Sequence, residues 1–229
     1  MRAKTSFYEN VIKRILDIVL GCLALIAFSP LFVITAIAIK ISSPGPIFYY
    51  SVRTAKGHKP FHFYKFRSMH VTDSDKHLFV ADVERVFPVG RLIRRLKIDE
   101  LPQLLNVIKG DMSIVGPRPM PISSVDDTYY GGFQKILSVR PGLTSAASLF
   151  DYTIGDTYTD NDLYVKEVLP YKLEMEMLYV EKESFLYDCE LVFRTVITII
   201  AVFLGMKKLP EQREYEEVNR KMSIKNAKN

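Results

Sequence analysis

From Ile18 to Ile39 the chain carries no charged residue, and an apolar run of that length is enough to enter or cross the hydrocarbon of a bilayer. No cleaved leader is expected. The run is too long, and no small-residue cleavage site with a polar mature start follows it. Ser29-Pro30 falls near its middle, where proline removes a backbone donor and pushes the preceding residue out of helical geometry, so a bend is expected. A kinked spanning helix satisfies these facts taken alone. The flanks favour another solution: Lys13 and Arg14 precede the run, and Lys40, Arg53, Lys56, Lys59, Lys65 and Arg67 follow it. Positive charge collects on the cytoplasmic side of membrane segments. A helix-break-helix that enters and leaves by one face accommodates both clusters, so a re-entrant segment is expected.

The rest of the chain has to form a domain beside this segment. With 48% apolar residues among 229 there is ample material for a core. A net charge of +5 and a pI near 9.0 point to an anionic partner such as a nucleotide, anionic lipid or nucleic acid. Cys22 lies inside the apolar run and Cys189 far away in a charged amphipathic region, so no disulfide framework is expected and a reducing compartment fits. Ser42 to Gly45 reads as a turn, Pro46 to Val52 as a short strand and Gly57 to Pro60 as a second turn. His62 to Met69 (HFYKFRSM) alternates aromatic and basic residues, as in a strand with a wet basic face; Lys65 there suits either solubility or a phosphate. His70 to His77 (HVTDSDKH) matches no metal-ligand spacing and reads as a solvated loop, and His58 and His62 are not expected to bind metal either. Val86 to Ile98 predicts a basic amphipathic helix, suited to a membrane interface, to placing arginines beside a pocket, or simply to solvent.

Ile98 to Met112 (IDELPQLLNVIKGDM) predicts a helix with Asp99 as N-cap, Glu100 in the first turn and Pro102 where no amide proton is needed. Leu101, Leu104, Leu105 and Ile108 form its apolar stripe and Gly110 ends it. In Gly116-Pro117-Arg118-Pro119 the prolines fix the backbone around one arginine; rigid presentation of a guanidinium suits bidentate contact with phosphate. Arg140-Pro141-Gly142 is a further turn and Ser145 to Asp162 reads as a polar loop. Helical patterning resumes from Leu163 through Tyr179, and Leu191 to Met206 predicts an interfacial or core helix, its uncharged part being too short to span. Lys207 to Asn229 predicts a charged, helical and partly frayed tail. No Gly-rich loop of the Walker or Rossmann kind occurs.

Taken together and in this order, KRILDIVLGCLALIAFSPLFVITAIAIK, FHFYKFRSM, LKIDELPQLLNVIKGDMSIVGPRP and VRPGLT cover most of residues 13 to 144. The set resembles the bacterial sugar transferases, small monotopic phosphoglycosyl transferases that load a polyprenyl phosphate with a phosphosugar. Beyond Thr144 the likeness is scattered, as in YVEKESFLYD at 179 to 188. The resemblance implies that Ser29-Pro30 makes a re-entrant break, leaving the protein on the cytoplasmic face of the inner membrane. It implies that Asp99 and Glu100 are catalytic, with Asp99 attacking the β-phosphorus of a UDP-sugar. Mg²⁺ is the implied cofactor, a covalent phosphosugar intermediate forms, UMP leaves, and undecaprenyl (polyprenyl) phosphate is the acceptor. Lys65 and Arg94, by family position, join Arg118 as the phosphate-binding cations. Glu100 is left as either a metal ligand with Asp99 or an acid/base partner.

Elementary chemistry agrees with these assignments. A carboxylate attacking a diphosphate meets charge repulsion, which Mg²⁺ and fixed cations offset, and a covalent intermediate divides one difficult transfer into two. A helix N-terminus at Asp99 would add a favourable dipole. The chain departs from the family pattern at Thr144 to Ser148 (TSAAS), where many relatives read Gly-Trp-Ala-Gln, and at Thr54-Ala55 after Arg53. The first departure lies where an aromatic or amide group would contact substrate, so the sugar stays open.

The expected fold is α+β and helix-dominated, with a re-entrant membrane segment (1–41), a cytoplasmic catalytic domain with interfacial amphipathic helices and a small β-hairpin (42–206), and a charged tail (207–229). The competing reading is a non-catalytic membrane tether for anionic lipid or a partner, which explains the charge and the apolar run but not the joint occurrence of DE, GPRP and YKFR. Nucleic acid is not an expected partner, because no helix-turn-helix or aromatic-basic RNA motif is present.

Overall fold

The computed structural model describes residues 7–70, 83–206 and 212–226. A turn of π-helix at Tyr8–Ile12 runs into helix α1 (Lys13–Ala27), Phe28 breaks it, and α2 (Ser29–Ser42) follows. Pro30 sits in the first turn of α2, where its missing donor costs nothing, and the Ser29 hydroxyl donates to the Ile26 carbonyl at 2.8 Å. The helices meet at a bend of 58°, as a broken span or a re-entrant segment requires; among the described residues no single helix is long and apolar enough to cross a membrane. Ile15, Leu23, Ile26, Val33, Ile34 and Ile41 are all exposed along the pair.

Strands β1 (Phe48–Ala55) and β2 (Lys59–Phe66) form an antiparallel hairpin in which Tyr49 faces Lys65 and Arg53 faces Phe61. Period-two alternation puts Phe61, Phe63 and Lys65 on one face, and both phenylalanines are buried. Phe66, on the other face, packs with Ile39, Phe87 and Ile93 and so ties the bent pair to the domain. The expected wet basic face is therefore only partial. Arg67 is buried and donates to the carbonyls of Ser43 and Pro44, capping the exit from α2.

Helix α3 (Pro88–Arg95) ends at Leu96, and Lys97 takes a left-handed conformation with φ 53°. Asp99 and Glu100 then lie inside a tight 3₁₀ turn, Ile98–Gln103, and α4 (Leu104–Lys109) begins only afterwards. The expected N-cap role of Asp99 is thus corrected. The Glu100 amide donates to Lys97 rather than standing orphaned, and no side-chain cap bond forms. The buried side of this segment is Gln103, Leu104, Asn106 and Val107, while Leu105 of the expected stripe is exposed. Gly110, at φ 98°, ends α4 as expected.

A second, parallel pairing joins β3 (Ser113–Val115) to β4 (Gly142–Thr144). Gly142 is required there: a Cβ on it would lie 2.1 Å from the Gly116 nitrogen. Short α5 (Val125–Thr128) and a 3₁₀ stretch, Gly131–Ser138, lie between the two strands. The predicted polar loop at Ser145 to Asp162 is overturned: α6 (Ala146–Thr153) starts from Ser145, whose hydroxyl accepts from the Ser148 amide. Ala146, Ala147, Leu149 and Phe150 form its inner face, an i, i+3, i+4 pattern masked by flanking polar residues. Helices α7 (Asn161–Glu167), α8 (Leu169–Lys182), α9 (Phe185–Phe203) and α10 (Arg213–Asn226) complete the chain. Their core joins Phe150, Met175, Tyr179, Leu191 and Val218. The other side of α9 leaves Phe193, Val196, Ile200 and Phe203 exposed.

At the base of α1, buried Lys13 reaches Asp188 at 2.6 Å and Glu183 at 3.1 Å, and Tyr8 and Tyr179 both donate to Asp188. Removing one partner of a buried ion pair strands the other. Lys13→Met is therefore expected to cost about 3–5 kcal/mol, read as a lowered thermal midpoint in detergent; an unchanged midpoint would contradict this.

Candidate active site

The site forms where the 3₁₀ turn, β2 and the Gly116 to Pro119 connector meet. Asp99 and Glu100 are both buried. Lys65 extends from β2 to within 2.9 Å of Glu100 Oε1 and 3.8 Å of Asp99 Oδ2. Arg118 grips Glu100 with its guanidinium fork, Nη1 to Oε2 at 3.0 Å and Nη2 to Oε1 at 2.5 Å. Both oxygens of Glu100 are thus engaged by cations. Asp99 differs: its Oδ1 is buried and has no hydrogen-bond partner among the described residues.

The electrostatics separate the two carboxylates. Burial alone would raise both. At Glu100 the charges of Arg118 and Lys65 outweigh it and hold the group well below the usual range. At Asp99 burial prevails, Glu100 next door adds to it, and the pKa is raised against the pull of Lys65, Arg94 and Lys97. Lys65 is itself lowered, by burial and by the nearby Arg118 charge. Arg94 places its Nη1 3.6 Å from the Met69 sulfur and acts on Asp99 through its charge. The structure therefore brings together all five residues singled out for chemistry: Lys65, Arg94, Asp99, Glu100 and Arg118. Ser29 and Pro30 stand apart from them, at the bend.

The expected dipole contribution is not built in. Helix α4 has six residues and starts at Leu104, beyond the carboxylates, so side-chain cations supply the positive field. Among the described residues no group of three or more His, Cys, Asp and Glu is arranged to hold a metal. Magnesium, however, is commonly bound by one or two carboxylates plus substrate phosphates. The orphaned Asp99 oxygen beside Glu100 fits that donor set. His70, by contrast, bonds Ser43 and packs on Phe87; the rest of the 70–77 segment lies outside the described residues.

Several residues escaped the sequence reading. Lys97 lies over the Tyr152 ring at 4.8 Å and bears electrostatically on both carboxylates. Arg53 and Lys65 both sit over Phe63, at 5.3 and 5.5 Å. Glu176 of α8 is buried and accepts from the Arg118 amide at 3.0 Å and from Ser145 Oγ at 3.1 Å. Burial pushes its carboxyl up to about 7. The charge of Lys97 beside IDE was a visible signal; nothing local marks Glu176 among the other glutamates of its helix. Ser145, Ala146 and Ala147 are fully buried, so the departure from the family pattern there does not present those side chains to a substrate.

A family model described as bacterial sugar transferase matches residues 8–202. A UDP-N-acetylgalactosamine-undecaprenyl-phosphate N-acetylgalactosaminephosphotransferase of Aeromonas hydrophila is 39% identical over 197 residues, covering 84% of this chain and 44% of its own. A UDP-glucose:undecaprenyl-phosphate glucose-1-phosphate transferase of Caulobacter vibrioides is 37% identical over 194 residues, 82% of this chain and 69% of its own. Its namesake in Escherichia coli is 37% identical over 195 residues, 83% and 40%. The chain thus spans less than half the length of the first and third of these relatives.

Proposed function

Since the chain belongs to the bacterial sugar transferase family, we propose that it transfers a sugar-1-phosphate from a UDP-sugar to undecaprenyl phosphate through a covalent intermediate on Asp99. The observation that carries this is the asymmetry of the two carboxylates: Glu100 is saturated by Arg118 and Lys65, while Asp99 keeps an unpartnered oxygen inside the same ring of cations. Relatives named as UDP-glucose and UDP-N-acetylgalactosamine transferases support the substrate class.

In the first step an Asp99 oxygen attacks the β-phosphorus of the donor. The bond from that phosphorus to the bridging oxygen breaks, UMP leaves with the electron pair, and an aspartyl phosphosugar remains. In the second step an oxygen of the lipid phosphate attacks the same phosphorus and Asp99 leaves as a carboxylate. Arg118, Lys65 and Arg94 orient the diphosphate and balance its charge. Glu100 holds Arg118 and Lys65 in place before the donor arrives. Asp99 through its unpartnered oxygen, with Glu100 beside it, would hold magnesium, and the ion would supply positive charge against the repulsion between carboxylate and phosphate.

The bent helix pair and the apolar side of α9 seat the protein on the inner leaflet from its cytoplasmic face, so that a soluble donor and a lipid phosphate meet at the headgroup plane. Cysteines placed at positions 7 and 60 are accordingly expected to react with an impermeant maleimide from the same side of sealed vesicles; labelling from opposite sides would make the pair a bent span.

The transfer itself is tested by incubating the purified protein with a panel of UDP-sugars and Mg²⁺ without lipid acceptor. A phosphosugar adduct in the intact mass, with release of UMP, is the expected outcome, and chelating the metal should suppress it. No adduct and no UMP with any donor would leave the membrane tether as the better reading.

A further inference from the structure

Arg118 lies in a connector whose backbone is pinned at successive polar groups. The Gly116 amide donates to Thr144 at 3.0 Å and the Pro117 carbonyl accepts from Gly142 at 2.7 Å. The Arg118 carbonyl accepts from the Tyr129 hydroxyl at 3.3 Å, and the Pro119 carbonyl from Arg53 Nη1 at 3.3 Å. The Arg118 amide is pinned as well, and its acceptor is Glu176 Oε1. This is the bond nearest the root of the functional side chain. It is also the link that ties that arginine to α8 and, through Ser145 Oγ on the same oxygen, to the start of α6.

A buried carboxyl is costly to place unless hydrogen bonds compensate it. Glu176 is 4% exposed, and its Oε2 has no hydrogen-bond partner among the described residues. We propose that Glu176 is a positioning residue for the transfer reaction, holding the Arg118 backbone so that its guanidinium is presented in one orientation to the donor diphosphate. Its surroundings fit that role: Tyr129, Lys172 and Asp151 bear on it electrostatically, from the segment after α5, from α8 itself and from α6. Lys172 is held by Asp151 at 2.7 Å, so the local charge is balanced without drawing the Glu176 oxygen away from Arg118.

The role rests on the transfer reading above, and reach rather than charge is what it requires. Glu176→Gln keeps an acceptor oxygen at the same distance, while Glu176→Asp keeps the charge and withdraws the oxygen by one methylene. The Gln variant is expected to retain turnover within about threefold, whereas the Asp variant loses about 10²-fold in kcat, as a displacement of about 1 Å at a reacting site does. In an Arg118→Lys background, which no longer presents a fork, the Asp variant should cost no more than about threefold further. An Asp variant at the wild-type rate, a Gln variant as impaired as the Asp variant, or full additivity with Arg118→Lys would overturn the proposal.

Hydrogen exchange provides a readout that does not depend on turnover. Pro117 and Pro119 have no amide, so within residues 117–119 the only exchanging amide is that of Arg118. It should be protected in the wild type and the Gln variant and exchange faster in the Asp variant; equal exchange in all three would dismiss the contact. Absence of transfer by the wild type would defeat the functional reading while leaving this arm to decide the contact on its own.

Discussion

Asp99→Asn is expected to abolish both the phosphosugar adduct and lipid-dependent turnover, with a loss on the order of 10⁴-fold or more. The amide is nearly the same size as the carboxylate, so packing is preserved, yet it has no anionic oxygen to attack phosphorus. The fold should tolerate it well. Burial raises the Asp99 pKa, which means that the folded state bears a cost for the charge at neutral pH, and a neutral amide removes that cost. The expected pattern is an inactive protein whose thermal midpoint is unchanged or higher. Near-normal turnover by the Asn variant would remove Asp99 as nucleophile. Intact-mass measurement after incubation with donor reads the intermediate directly, independently of the second step.

Arg118→Ala is expected to lower kcat by about 10²–10³-fold, the usual consequence of removing one fixed charge from a transition state. Its effect on stability runs opposite to that of Asp99→Asn. Glu100 is buried and accepts both arms of the Arg118 fork; without them it keeps only Lys65. The cost is expected to be up to about 3 kcal/mol, less than for a fully stranded buried charge because one partner stays. This cost is a consequence of the contact between Arg118 and Glu100. The pH dependence has a definite sign. Glu100 is held below its ordinary value, so its pairing stabilises the protein above the unfolded glutamate pKa of about 4.3 and that contribution is lost as the pH falls. The Ala variant should therefore lose less stability than the wild type on acidification through that range, measured by denaturant unfolding at several pH values. Arg118→Lys, which keeps the charge without the fork, should fall between the two in rate.

The two variants together separate the carboxylates that the motif sets side by side. In the chain Asp99 and Glu100 are neighbours of like charge, and nothing in IDELPQ distinguishes a nucleophile from an anchor. The distinction comes from Lys65 on β2, 35 positions before Glu100, and Arg118, 18 positions after it. Both side chains converge on Glu100 and leave one oxygen of Asp99 unpaired. The same holds for Glu176, whose tie to the Arg118 amide spans 58 positions and has no local mark. Misreadings at α6 and at the Asp99 cap have a related origin. Polar residues around Ala146 to Phe150 hid a buried face, and the left-handed Lys97 delivers the chain into a 3₁₀ turn where a regular helix start was expected.

What was legible from the residues alone was of short range. The uncharged run, the proline that breaks it, the hairpin with its turn at Gly57 and the stop at Gly110 each depend on a backbone preference or on the side-chain pattern of a few neighbours. The motif set also named Lys65, Arg94, Asp99, Glu100 and Arg118, though not Lys97 beside them. Which cation pairs with which carboxylate, which carboxylate oxygen is left unpaired, and what holds the arginine at its backbone were decided only by the tertiary structure. Coulomb energy and hydrogen bonding act over a few ångströms of space, and folding sets those distances independently of position along the chain.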